Sequence, residues 1–233
     1  MTGWWLWLYV AAMAAGLLLF VRWAADPRGV PRIEYHVAIA IPLWSGFWYT
    51  VTALGGGQTD GGGHLTYWAR YADWAVSASL LLVALALTAT HALPRRHPAL
   101  LAALIGINVA MILSGLLADL ADGLLTRWLL YAFGAVALLV IYALIWGPLR
   151  SLARRQPSGL HHAYWEVALL LTVLWAGYPV IWLLGPPGLD LLGASVDTAL
   201  FVLLSIVSKV GWSILDLGRL RQLAARGELP VLR

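Results

Sequence analysis

The sequence predicts an all-α fold, a bundle of seven transmembrane helices forming one domain over residues 1–233. Two observations carry that expectation. Of the 233 residues, 61% are hydrophobic and only 11% charged, and the mean hydropathy is +0.80, far from ordinary globular usage. A spanning helix needs roughly 20 predominantly apolar residues, so this length holds about seven spans with short loops and little else. Hydrophobic runs broken by polar, Gly or Pro residues place those spans near 3–24, 32–55, 66–90, 98–119, 125–149, 161–184 and 194–220.

The first span opens with Trp4, Trp5 and Trp7, which suit a membrane–water interface, and stops at Asp26-Pro27-Arg28-Gly29. It has neither a cationic start nor a small-residue cleavage site and reads as a retained span. The second runs into Gly55–Gly63, where two Gly triplets flank Gln58, Thr59 and Asp60, a hairpin-like excursion without a phosphate-loop pattern. Pro94-Arg95-Arg96 closes the third, Gln156-Pro157-Ser158-Gly159 the fifth, and Gly185-Pro186-Pro187-Gly188 the sixth. No internal repeat is visible.

Charge orients the chain. Arg22, Arg28, Arg32, Arg95, Arg96, Arg150, Arg154 and Arg155 lie in the loops after spans one, three and five, and Arg219, Arg221, Arg226 and Arg233 lie in the tail. By the positive-inside rule those faces are cytoplasmic. The alternate loops carry Asp60, Asp119, Asp122, Asp190 and Asp197, with Arg127 nearby. A multi-pass protein of the cell membrane follows, its amino terminus outside and its carboxyl terminus inside. The lipid bilayer is its expected partner, with self-association into a homo-oligomer and no nucleic-acid binding. The lack of cysteine excludes disulfides, thiolate metal sites and thiol nucleophiles. Neither a metal site nor an enzymatic activity is expected; His161 and His162 read as loop residues.

The basic residues number 15, of which only Lys209 is lysine. It lies inside the apolar run 200–215, where an ammonium is costly and commonly functional; the bland alternative is snorkelling toward a headgroup. In the third span Arg70, Asp73 and Ser77 share a face by three- and four-residue spacing. Arg70 and Asp73 could simply neutralise one another. With Lys209 added, a buried anion and two buried cations on two spans match what a protonated imine with a carboxylate counterion requires. The sixth span presents Trp175, Tyr178, Pro179 and Trp182, either ordinary packing or a flat-walled slot for a conjugated polyene, with Pro179 as a hinge. Tyr49, Trp74, Ser77, Leu81, Met111, Ser114, Gly115 and Gly134 are further candidates for its walls.

Together these stretches resemble the microbial rhodopsins over nearly the whole chain: Arg70-Tyr71-Ala72-Asp73-Trp74, Trp175-Ala176-Gly177-Tyr178-Pro179-Val180-Ile181-Trp182, and Ser208-Lys209-Val210-Gly211. The resemblance implies all-trans-retinal bound to Lys209 as a Schiff base, Asp73 as its counterion and first proton acceptor, and Arg70 as a gate toward the outside. A closer likeness, to xenorhodopsins and the cyanobacterial sensory rhodopsin, rests on Pro27-Arg28-Gly29-Val30-Pro31, on Ile41-Pro42-Leu43-Trp44-Ser45-Gly46 and on 208–217. Ser205 departs from both the aspartate usual in outward pumps and the proline usual in xenorhodopsins.

Direction follows from the same face. Positions 73, 77 and 84 read Asp, Ser and Ala, so the carboxylic proton donor that outward pumps usually carry at the third position is missing. Asp216 lies seven residues beyond Lys209, about 10 Å further toward the cytoplasm at 1.5 Å per residue; it is either a proton acceptor there or a solvated helix-end residue. His36 could extend that path or have a local structural role. Asp197 either joins Arg70 in an outer uptake path or caps the last helix. The resulting expectation is a light-driven inward proton pump, the alternative a photosensor signalling to a soluble cytoplasmic transducer. Other ions are third, because Asp73 argues against the usual chloride arrangement.

Overall fold

A computed structural model describes residues 3–61, 63–94 and 97–229. Arg95, Arg96 and Arg233, assigned above to the basic face, lie outside these residues.

Seven long helices run through the described chain: α1 Gly3–Ala25, α2 Arg32–Ala53, α3 Trp68–Thr90, α4 Pro98–Leu120, α5 Leu124–Ala153, α6 Ser158–Leu184 and α7 Ala194–Ala225. All but α2 are long and apolar enough to cross a membrane. Arg32, Glu34, His36 and several aromatics lower the hydropathy of α2. The helix boundaries follow local chemistry. Pro31 and Pro157 precede the first turns of α2 and α6, and Pro98 starts α4, where a missing N–H costs no helical bond. Arg28 and Gly29 take positive φ values of 52° and 84° to turn the chain from α1 into α2. The Gly-rich excursion is a two-stranded antiparallel hairpin, β1 Thr59–Gly61 with β2 His64–Thr66.

Neighbours in sequence pack as neighbours in space from α1 to α5, and α6 and α7 complete the ring, with α7 returning against α1 and α3 also meeting α6. The core between α3, α4, α5, α6 and α7 is filled by Leu81, Leu82, Leu85, Leu104, Ile141, Val167, Leu171 and Trp212. Outside, Leu18, Leu125, Leu139, Val136 and Val173 are exposed, as expected of helices that face hydrocarbon rather than water. Two helices contain a π-helical turn, Ile145–Leu149 in α5 and Val207–Gly211 in α7. Such turns interrupt the regular bond pattern and occur often at functional sites; the second contains Lys209.

The ring has two chemically different ends. The basic end carries the start of α2, the ends of α3 and α5 and the tail of α7. The hairpin end carries β1–β2 and the α4–α5 and α6–α7 loops.

Candidate functional site

The α7 π-turn directs Lys209 inward, where only 2% of its side chain is exposed. Its Nζ donates to Asp73 Oδ2 on α3, to Ser45 Oγ on α2 at 2.9 Å and to Tyr9 Oη on α1 at 3.0 Å. Ser45 Oγ in turn donates to Asp73 Oδ2 at 2.9 Å, and lies 2.6 Å from Tyr9 Oη. Four helices thus converge on one ion pair. Full burial of separate charges is expensive, and it is tolerated here because the pair is close and hydrogen-bonded. Arg70 does not neutralise Asp73: its guanidinium reaches Asp197 on α7 at 3.5 Å and lies 4.5 Å from the centre of the Phe201 ring. The two candidate carboxylates therefore have separate cationic partners.

A cavity lined almost wholly by apolar and aromatic side chains extends from Lys209 between α3, α4, α5, α6 and α7. Trp74, Ser77, Leu81, Met111, Gly115, Gly134, Trp175, Tyr178, Pro179 and Trp182 line it, as the sequence suggested. Tyr71, Ile112, Tyr131, Leu138, Phe201 and Ser208 also face it and were missed. Two of the expected wall residues sit elsewhere. Tyr49 stacks on Tyr9, their ring centres 3.7 Å apart, behind the ion pair. Ser114 turns to its own helix and bonds Met111 O at 2.7 Å, because a short hydroxyl side chain in a helix readily finds a preceding carbonyl. Gly134 keeps this wall thin: a Cβ there would stand 3.0 Å from Ser114 Oγ.

Tyr178 Oη lies 3.0 Å from Ser205 Oγ and 2.7 Å from Ser208 Oγ, so Ser205 is a neutral hydroxyl partner where a second carboxylate was conceivable. Ser77 Oγ and Asp73 Oδ1, both buried, have no partner among the described residues. An apolar, aromatic-walled slot ending at one primary amine, with polar valences reserved beside that amine, fits a polyene aldehyde condensed onto Lys209.

Toward the basic end, Asp216 is buried and accepts from Thr88 Oγ1 at 2.7 Å, so it is not a solvated helix-end residue. His36, the expected relay, is exposed. Two residues along a helix turn the side chain through about 200°, and the inward position belongs to Glu34. Its Oε1 lies 3.5 Å from Nδ1 of His91, and both side chains are buried. Glu34 is close enough to act electrostatically on Asp216. Sequence reasoning missed Glu34 and His91 because both lie at helix ends, where charged residues ordinarily meet water.

The sequence family described as bacteriorhodopsin-like protein matches residues 1–223. Sensory rhodopsin-2 of Natronomonas pharaonis is 34% identical over 212 residues, 91% of this chain and 86% of that one. Bacteriorhodopsin-I of Haloarcula marismortui is 33% identical, covering 91% and 88%. The crystal structure of thermophilic rhodopsin from Rubrobacter xylanophilus superposes with a TM-score of 0.90 at 32% identity, covering 97% of this chain and 98% of that one. The family includes light-driven proton pumps and sensory rhodopsins rather than classical enzymes. This chain belongs to the bacteriorhodopsin-like family of microbial rhodopsins, membrane proteins whose chromophore is retinal.

Proposed function

We propose that the protein is a light-driven proton transporter that moves protons from the hairpin end to the basic end, with the basic end in the cytoplasm. Retinal joined to Lys209 would supply a polyene that light isomerises, and Lys209 Nζ itself would carry the proton. Asp73 holds the compensating negative charge at Oδ2, and Ser45 fixes that oxygen by donating to it. Trp74, Trp175 and Trp182, which line the cavity, would bind the polyene and exclude water from it.

The observation that carries the direction is the buried Asp216–Thr88 pair on the basic side of Lys209, together with Ala84 at the position where an outward pump needs a carboxylic donor. Asp216 accepts a proton on its carboxylate, and the Glu34–His91 pair passes it to the basic face. Arg70 and Asp197, 3.5 Å apart, hold the charge balance at the hairpin end, where a proton is taken up from outside.

Illuminated cells carrying the protein should alkalinise the medium, and a protonophore should abolish the signal. Asp216→Asn should slow or redirect proton release at the basic end. Sustained acidification by the unaltered protein would reject the inward direction. The second reading, a photosensor with a soluble cytoplasmic transducer, is favoured by the 34% identity to sensory rhodopsin-2. A stationary light-driven current in purified vesicles, with no other protein present, decides for transport.

A further inference from the structure

A second group of titratable side chains lies at the hairpin end, away from the Lys209–Asp73 pair. His64, on β2, places Nε2 at 2.5 Å from Asp119 Oδ1 near the end of α4, and these side chains are 14% and 6% exposed. The other carboxylate oxygen, Oδ2, accepts from Tyr71 Oη at 3.0 Å. Tyr71 Oη itself accepts from Trp182 Nε1 at 3.1 Å. Tyr71 and Trp182 both line the cavity, and the Tyr71 ring stands edge-on to Trp74 at 5.3 Å. An unbroken hydrogen-bonded chain therefore runs from the hairpin to two walls of the cavity.

We propose that His64 and Asp119 form a second proton-binding site, open to the compartment at the hairpin end and coupled through Tyr71 and Trp182 to the cavity wall. A shallow depression lined by Asp60, Gly61, Gly63, His64, Leu65 and Asp122 gives the imidazole its access to water, and the two acids on its rim favour the cationic imidazolium. From the other sides, Arg70 and Asp197 lie within electrostatic reach of the pair. Arg127 on α5 donates to Ala121 O at 2.8 Å, just beyond Asp119. The local charges are thus two arginines and four carboxylates, and His64 is the imidazole among them, the side-chain type whose charge changes nearest neutral pH.

Protonation takes one proton from water in the depression and turns the His64–Asp119 contact into an ion pair. The carboxylate charge is then shared more strongly with His64 and less with Tyr71. Loss of that proton strengthens the demand on the Tyr71 hydroxyl, which changes the acceptor that Trp182 Nε1 sees. The wall thus senses external pH whether the protein acts as a pump or as a sensor, and the coupling is independent of transport direction.

The test uses the full protein with retinal bound in lipid nanodiscs, labelled with ¹⁵N in histidine rings and tryptophan indoles. Trp182 is assigned by Trp182→Phe and His64 by His64→Gln. Between about pH 5 and about pH 8, the Trp182 indole resonance should move with the same midpoint as the His64 ring. His64→Gln should remove that movement, and Tyr71→Phe should remove it while leaving the His64 ring free to titrate. In the unaltered protein the visible absorption maximum should follow the same midpoint. A His64 ring that keeps one protonation state throughout, an indole that stays still while His64 titrates, or an indole that still moves in His64→Gln would each overturn the proposal.

Discussion

At the scale of single residues, the balance at Lys209 is set by neighbours as much as by Asp73. An ammonium has three N–H donors, and Tyr9, Ser45 and Asp73 take one each. Removing one charged member of a buried pair strands the other at a cost of about 3–5 kcal/mol, whereas replacing both with apolar groups of similar volume is often neutral. In the retinal-free protein, Lys209→Met alone and Asp73→Leu alone should each lower thermal stability strongly, and the double variant should recover most of the loss. A double variant no better than the sum of the singles would count against direct coupling. Ser45→Ala should cost about 1–3 kcal/mol, since it leaves a buried carboxylate short of a donor. Lys209, Asp73 and Arg70 were legible in the sequence because charges inside apolar runs are rare and expensive. Ser45 and Tyr9 were not. Hydroxyls in helices commonly bond their own backbone, as Thr50 and Ser79 do at 2.7 Å each, and nothing in the order of residues separates Ser45 from them.

At the scale of elements, the helices close on one another through small contacts that spacing does not reveal. Gly16 of α1 faces Val210 of α7 so closely that a Cβ would come within 2.8 Å of Cγ2 and 2.9 Å of Cγ1. Valine is stiff at χ1 and cannot easily swing aside. Gly16→Ala should therefore destabilise by about 1–3 kcal/mol through overpacking, despite the better helix propensity of alanine, and a raised melting temperature would contradict this close approach. The cap of α3 is similarly indirect. Gln156, from the turn after α5, donates Nε2 to the carbonyls of Thr88 and Ala89 at 2.9 and 2.8 Å, and its Oε1 accepts from Ala92 N at 2.8 Å. In the sequence Gln156 marked only a break before Pro157. Its partners are more than sixty residues away, so local pattern cannot find them. The span boundaries were legible because Pro, Gly and clustered Arg act locally. Which face of a span points inward was less so, since helices apolar all round carry little directional signal; the exchange of His36 for Glu34 is that failure in miniature.

At the scale of the whole molecule, charge is segregated between the two ends of the ring, and the sign of any transport measured in cells depends on which end faces the cytoplasm. Among the described residues the basic end carries Arg22, Arg28, Arg32, Arg150, Arg154, Arg155, Arg219, Arg221 and Arg226, whereas the hairpin end has Arg127 beside Asp60, Asp122 and Asp190. Arg221 also ties the end of α7 to the α1–α2 turn, donating to Asp26 O at 2.6 Å and to Tyr35 Oη at 2.9 Å, so these segments share one side of the membrane. The positive-inside rule leads to the expectation that the basic end faces the cytoplasm. Because the chain has no cysteine, single cysteines can report this without background. Leu189, in the α6–α7 loop, and Ala225, at the end of α7, are both exposed. Leu189→Cys should react with a membrane-impermeant maleimide in intact cells, and Ala225→Cys only after permeabilisation. The reverse labelling would place Asp216 on the outer side of Lys209. Alkalinisation of the medium would then mean passage from the basic end to the hairpin end, and Asp216 could no longer be the acceptor on the cytoplasmic side. Labelling and the light-driven pH change on the same cells together fix both the vector of transport and the side on which Asp216 works.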